Sequence, residues 1–258
     1  MSSLEGLHNS RGVALLIVLL VTALLLALIF EFAYATRVSL RSAVNFRDSQ
    51  RAYFLARSGM AIFSKFKELQ ETIPQGEWGV VPIISTGETM VRLRWEDEKG
   101  KVNINTVNTT MGWVVEELFS QQKVGSDVLQ RVETLRKEGP FKLLSELHKA
   151  MPDEDYAKVA RFLTVYSDNK ININTASEEV LNSILKDNRV AAGMIINSRK
   201  KKPIESLGEV GLTQQNTKTE IIANLTTASD SRTVYSFATV GGYTKQIEAV
   251  GASYWRVL

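Results

Sequence analysis

The chain has no cysteine in 258 residues, so no disulfide or thiolate metal ligand contributes to it, and cysteine gives no reading of its redox compartment. Histidine is almost missing too, with His8 and His148 the only two. Zinc chemistry and a histidine-based catalytic triad therefore lack the residues they need. Proline is absent from Val13 to Thr72, where Gly59 is the only glycine. Nothing in that stretch breaks a helix, and at ~1.5 Å per residue such a helix would approach 90 Å. Charge is absent from Val13 to Phe30, eighteen residues whose only polar side chain is Thr22. This run is about 27 Å long as a helix, close to a hydrocarbon core of ~30 Å, and it reads as a membrane span. Glu31-Phe32-Ala33-Tyr34 follow it where a secretory signal would show small residues for cleavage. The span is expected to be retained, with any processing in front of it. A large excess of one charge is lacking as well. The net charge of +3 survives removal of residues 1–12, because Glu5 and Arg11 leave together, and it is too mild to demand a nucleic-acid partner.

What is present falls into separable parts. With 44% hydrophobic and 23% charged residues, the chain beyond the span is long enough for one large globular domain or two small ones. Past the span, Tyr53, Ala56, Met60, Phe63 and Phe66 recur at steps of three and four, with Arg51, Arg57, Ser58, Ser64, Lys65 and Glu68 between them. One helix face is expected to pack on a domain until Ile73-Pro74-Gln75-Gly76 ends it. Met90 to Trp95 alternates as a strand, and Asp97-Glu98-Lys99-Gly100 reads as a turn. Thr233 to Val240 and Tyr243 to Val257 read as a hairpin around Gly241-Gly242, with Gly251 a candidate bulge.

Between these strands the pattern is helical and repeated. Val102-Asn103-Ile104-Asn105-Thr106 returns sixty-nine residues later as Ile171-Asn172-Ile173-Asn174-Thr175. The second copy continues Thr175-Ala176-Ser177-Glu178, which predicts a capping box of Thr175 with Glu178. In the first copy Thr109 replaces the Glu, leaving an Asn105/Thr106 cap. Both copies end alike, Gly139-Pro140-Phe141-Lys142-Leu143-Leu144-Ser145-Glu146-Leu147 echoing Lys202-Pro203-Ile204-Glu205-Ser206-Leu207-Gly208-Glu209-Val210. The expected fold is α+β: a long N-terminal helix on a small antiparallel sheet, with a duplicated helical module inserted between strands.

A short leader closing on Arg11-Gly12 before a fully apolar helix resembles the type III signal of type IV prepilins, in which a peptidase cuts after the glycine. That resemblance makes Val13 the mature N-terminus. Most of the superfamily has Glu at the fifth mature position, and Ile17 stands there instead. This departure, the Arg11-Gly12-Val13-Ala14-Leu15-Leu16 start and the doubled Asn-Ile-Asn-Thr motif together resemble the minor pseudopilin K of type II secretion systems (general secretion pathway protein K). The resemblance covers essentially the whole chain. It implies a leader at 1–12, a transmembrane helix at 13–35, a pilin-like α+β domain from 36–100 and 228–258, and an insert at 101–227 whose two helix-hairpin-helix-like (SAM-like) modules occupy about 101–165 and 170–227. It further implies a tip position in a pseudopilus that supports export of folded proteins. The partners it implies are prepilin peptidase, other minor pseudopilins met through the N-terminal helix, the assembly platform and exported proteins. A minor pilin of a type IV pilus system fits the same features. Arg37, Arg41, Arg47 and Arg51 lie behind the span, so a literal positive-inside count would put the body in the cytoplasm. The resemblance implies the reverse: a cytoplasmic N-terminus, a single pass through the bacterial inner membrane and a periplasmic body.

Two rival functions are weaker on the residues. The Asn-Ile-Asn-Thr-Ala opening is also similar to helix-hairpin-helix modules of membrane-anchored DNA-uptake receptors, which bind phosphate through backbone N–H groups of a glycine-hydrophobic-glycine hairpin. The matching stretches here are Lys123-Val124-Gly125, with one glycine, and Asn188-Arg189-Val190, with none. Arg199-Lys200-Lys201-Lys202 reads as a solvated helix end, so no nucleic acid is expected. An enzyme would have to use Asp97-Glu98 or Asp153-Glu154-Asp155, yet no base, nucleophile elbow or phosphate loop accompanies them. Asp153-Glu154-Asp155 reads as an acid-favoured helix start. No catalytic residue, cofactor or metal ligand is assigned. Calcium held by carboxylates and loop carbonyls is chemically allowed at sites the sequence does not name.

Overall fold

The computed structural model describes residues 5–250 and 254–257, with side chains described except at 5–11, 67, 68, 70 and 254–257. Residues 1–4 of the leader and the bulge expected at Gly251 lie outside the described residues. The first element, α1 (Glu5–Lys65), runs unbroken for 61 residues. Its stretch from Gly12 onward is long and apolar enough to cross a membrane. The helix stops earlier than the proline predicts. Phe66 is extended, and a short α2 (Lys67–Thr72) follows at a new angle. The turn drives Ile73 into the core, where its carbonyl accepts the Trp95 indole N–H at 2.8 Å. Tertiary packing thus overrides a helical pattern that would have run straight through, and it leaves Phe66 half exposed instead of in the packed stripe.

One face of α1 lies on a five-stranded antiparallel sheet. In chain order this sheet contains β1 (Gly79–Val80) and β2 (Met90–Asp97). Between β2 and the returning strands the chain forms β3 (Val102–Asn103), α3 (Gly112–Gln121), α4 (Ser126–Glu138), α5 (Asp153–Val159) and β4 (Leu163–Thr164). A second set comprises β5 (Ile171–Asn172), α6 (Glu178–Ile184), α7 (Arg189–Arg199), α8 (Thr219–Ala223) and β6 (Leu225–Thr226). The sheet is then completed by β7 (Arg232–Val240), β8 (Tyr243–Val250) and β9 (Tyr254–Val257), in the order β1-β2-β7-β8-β9. The expected single return strand from Tyr243 to Val257 is two strands, with β9 folding back to pair with β8. Gly241 and Gly242 both take positive φ, 54° and 83°, which is the backbone of the tight hairpin that the Gly-Gly pair predicts.

Among the described residues two hydrophobic cores result. Ala56, Phe63, Val91, Leu93, Ala238 and Ile247 close the space between α1 and the sheet. Gly59 is required there, because a Cβ would lie 2.8 Å from Ser236 Oγ and 2.9 Å from Val91 Cγ1. The other core belongs to the insert and draws on both copies at once, with Val114, Leu118 and Phe119 from α3 and Val180, Leu181 and Ile184 from α6 among its members. Each copy is also closed on itself by a parallel two-residue bridge, β3 with β4 and β5 with β6, so each begins and ends at the same place.

The register of α1 on the sheet fixes where the insert hangs. Asp48 abuts Gly241 at the β7–β8 turn, Gly59 sits at Ser236, and the Phe63 ring lies 6.4 Å from that of Trp95. Strand β2 therefore ends near the end of α1 farthest from its apolar run. The insert leaves and rejoins the sheet at that far pole.

Candidate functional site: the joint between sheet and insert

Among the described residues a densely hydrogen-bonded polar cluster forms at Asp97-Glu98-Lys99, in the segment whose composition reads as a turn. It is buried: Asp97 is 1%, Glu98 3% and Lys99 7% exposed. A carboxylate removed from water must be met by donors, and these are. Asp97 accepts from its own Lys99 N–H at 2.8 Å, from Asn172 Nδ2 at 2.8 Å, from Thr175 Oγ1 at 2.6 Å and from Ser229 Oγ at 2.5 Å. Glu98 accepts from Thr164 Oγ1, from Thr233 Oγ1 at 2.6 Å and from Lys101 Nζ at 3.1 Å. Lys99 reaches Asp168 at 3.2 Å and Asp230 at 2.9 Å. Three consecutive side chains thereby bind the opening of the second copy, the close of the first, the link between copies and the return into β7. Gly100 follows at a close approach, where a Cβ would lie 3.1 Å from the Thr175 backbone.

Around the joint a cleft of about 1030 Å³ opens between the outer sheet face and the insert, lined among others by Arg94, Glu96, Tyr235, Tyr156, Arg161 and Lys200. Burial alone would raise the Glu96 carboxyl, but Lys101 at 2.6 Å and Arg94 outweigh it and hold the group below its usual range. Burial would lower Lys101 in turn, yet Glu98 and Glu96 leave it raised. The Tyr235 hydroxyl is pushed well up, by burial first and then by Glu96, Glu248 and Glu98. Among the described residues, no three His, Asp or Glu side chains are arranged to hold a metal ion. The acids Asp153, Glu154 and Asp155 do start a helix, and their partners are His148 for the first and Lys158 for the other two.

The repeat residues have a different task from the caps predicted for them. Helix α3 begins only at Gly112, and the N-cap of α6 is Ser177, whose hydroxyl accepts from Val180 N–H at 3.3 Å. Glu178 is merely the first residue of α6. Thr175 is drawn away from the cap by Asp97, a charged acceptor, while Thr106 donates to the Asn103 carbonyl at 2.7 Å. Asn105 and Asn174 are clasps. Asn105 accepts from Phe141 N–H at 2.8 Å and donates to the Phe141 carbonyl at 3.1 Å. Asn174 repeats this with Ile204, at 2.8 and 2.9 Å. Glu146 and Glu209, also equivalent, accept from the backbone N–H groups of Leu143 and Ser206. Even Arg136 and Arg199 correspond, the first donating to the Asn105 carbonyl at 3.1 Å and the second to those of Ile173 and Ala176.

This last pair corrects the reading of the basic run as a solvated end. Arg199 is built into the module, whereas Lys200 and Lys201 remain exposed. The phosphate cradle is also filled differently. Lys123 adopts φ 58° in the first hairpin, and Asp127 places a carboxylate in the opening turn of α4, where a phosphate would be repelled. Asn188 caps α7 in the second hairpin by accepting from Ala191 N–H at 3.2 Å. At the other end of the molecule, Gly12, Val13 and Ile17 all lie within α1, and a Cβ on Gly12 would meet open space.

No protein-family model matches the sequence, and no curated protein matches it. Among solved structures it is similar to a chain of the GspK-GspI-GspJ complex from the enterotoxigenic Escherichia coli Type 2 Secretion System, at 15% identity and a TM-score of 0.58, over 86% of this chain and 97% of that one. At that identity the likeness is one of fold, and the α+β architecture described above is shared over nearly the whole of the matched chain.

Proposed function

We propose that the chain is a minor pseudopilin of the K type, placed at the tip of a type II secretion pseudopilus and supporting export of folded proteins across the outer membrane. Prepilin peptidase cuts it between Gly12 and Val13. Its body lies in the periplasm, and α1 holds it to companion minor pseudopilins and to the assembly platform. The observation that carries this reading is the position of the insert at the pole of the sheet farthest from the anchor, together with the shared fold. A filament of closely stacked long helices has no room inside its shaft for a second body of this size. Room exists only where nothing stacks above. Ile17 supports the same end position, because a subunit without the carboxylate has nothing to neutralise the terminal amine of a neighbour already in the filament.

Two measurements test the proposal. Mass spectrometry of the membrane-extracted protein should find Val13 at the N-terminus, and an intact Met1 in cells with active peptidase would refute the processing. Immunogold labelling of overproduced pseudopili should mark one end only, and label along the shaft would refute the tip position.

A further inference from the structure

The face of α1 against the sheet is made by Asp48, Ala52, Ala56, Gly59 and Phe63. Roughly a third of the circumference away runs another stripe at alternating steps of four and three, Leu40, Val44, Arg47, Arg51, Phe54 and Ser58, all exposed. A repeat averaging 3.5 residues is the seam that a helix offers to one other helix lying nearly parallel to it. Phe54 is 58% and Leu40 61% exposed, so apolar surface flanks the two arginines on either side along the seam. Its middle is cationic.

Asp48 offsets Arg47 in that middle, whereas among the described residues no acid pairs with Arg51. Residues 31–65 carry six cations, Arg37, Arg41, Arg47, Arg51, Arg57 and Lys65, against Glu31 and Asp48 alone, a net of +4. Asp48 is buried and held by Arg47 at 2.9 Å. Lipid headgroups do not reach: Arg47 and Arg51 stand ~25 and ~31 Å beyond Phe30 along the helix, whereas the interfacial layer adds roughly 5–8 Å to each side of the hydrocarbon core. A second copy in the same orientation would set arginine against arginine.

We infer that this seam receives one helix of a different pseudopilin, with Asp or Glu facing Arg47 and Arg51 and apolar side chains about one to two turns to either side. The inference rests on the filament reading above and names the chemistry of the neighbour.

The experiment uses the full-length protein in membranes that contain the whole secretion system. Photoreactive p-benzoylphenylalanine is placed at Val44, at Phe54 and, as a control on the sheet, at Thr244. Positions 44 and 54 should crosslink to one and the same pseudopilin, on a helix with an acidic residue within a turn of the site. Arg51→Glu keeps a good helix former at an exposed site and should lower the yield at position 54 at least about tenfold, while Arg51→Lys should keep most of it. Arg47 is left intact because it holds Asp48. A crosslinked helix without an acid, or a yield indifferent to Arg51→Glu, overturns the inference. Crosslinks to a pseudopilin from Thr244 alone overturn it and leave the filament reading standing; the lack of any crosslink to a pseudopilin from all three positions overturns both.

Discussion

Replacing Asp97 by Ala removes one carboxylate and strands four donors at once. Hydrogen bonds to a charged acceptor contribute about 1.5–3 kcal/mol each when isolated, and the four here share two oxygens, so they do not add. Ser229 can turn to the Ser231 carbonyl, 3.2 Å away, and Thr175 has the Asn172 carbonyl at 3.4 Å as a weaker acceptor. Asn172 Nδ2 and the Lys99 N–H lose this acceptor outright. Two groups left unsatisfied, partial rescue of two hydroxyls and the small cavity give about 3–5 kcal/mol, a large share of a usual 5–15 kcal/mol stability. Asp97→Asn keeps the shape but turns an amide donor toward other donors, and should cost about 1–3 kcal/mol. Urea unfolding of residues 36–258 measures the totals. Hydrogen exchange locates them: the Ile171 and Ile173 amides, bonded to the Asn224 and Thr226 carbonyls, should exchange faster, while amides between β7 and β8 keep their protection. If Asp97→Ala shifted stability by less than about 0.5 kcal/mol, the cluster would be a surface turn after all.

Three further outcomes are expected. Because Tyr235 is raised above 10.0 in the folded chain, the unfolded chain loses this proton first, so its contribution is complete below pH 10 and declines as pH rises toward the folded value; Tyr235→Phe should flatten that alkaline limb in urea melts at several pH values. Gly59→Ala should cost about 1–3 kcal/mol by thermal melting, since the new methyl meets Ser236 and Val91 below 3.0 Å, whereas Gly12→Ala, in open space, should leave the fold unchanged. Asn105→Ala and Asn174→Ala should each cost about 2 kcal/mol, and each should speed exchange at its own clasped amide, Phe141 or Ile204, more than at the equivalent amide of the other copy.

The features legible in the sequence were those with a local period. The uninterrupted apolar run marked the long N-terminal helix, alternation marked β2, β-forming residues before Gly241-Gly242 marked β7, and the two Asn-Ile-Asn-Thr strings exposed the duplication, though not the clasps that Asn105 and Asn174 make. The joint was not legible, because its partners are far apart in the chain. Asp97 meets Asn172 and Ser229 across 75 and 132 positions, and nothing in Asp-Glu-Lys-Gly distinguishes a buried hub from a solvated turn. The cap was misread for a related reason. The Glu three residues after Thr175 pointed to a capping box there, and only the distant Asp97, which takes the Thr175 hydroxyl, shows why the chain caps with Ser177. Strand β1, two residues long, carries too little pattern to be seen at all.

The return of the insert to its point of departure has a consequence for how such a protein can change. The Glu98 N–H bonds the Ser231 carbonyl at 2.9 Å, and Asp97 pairs with Arg232 in the sheet register. A short turn joining these positions would make an ordinary hairpin of β2 and β7, with α1 and its core untouched. The whole helical body is therefore a detachable head, open to being lost, enlarged or exchanged without altering the long apolar helix or the sheet it lies on.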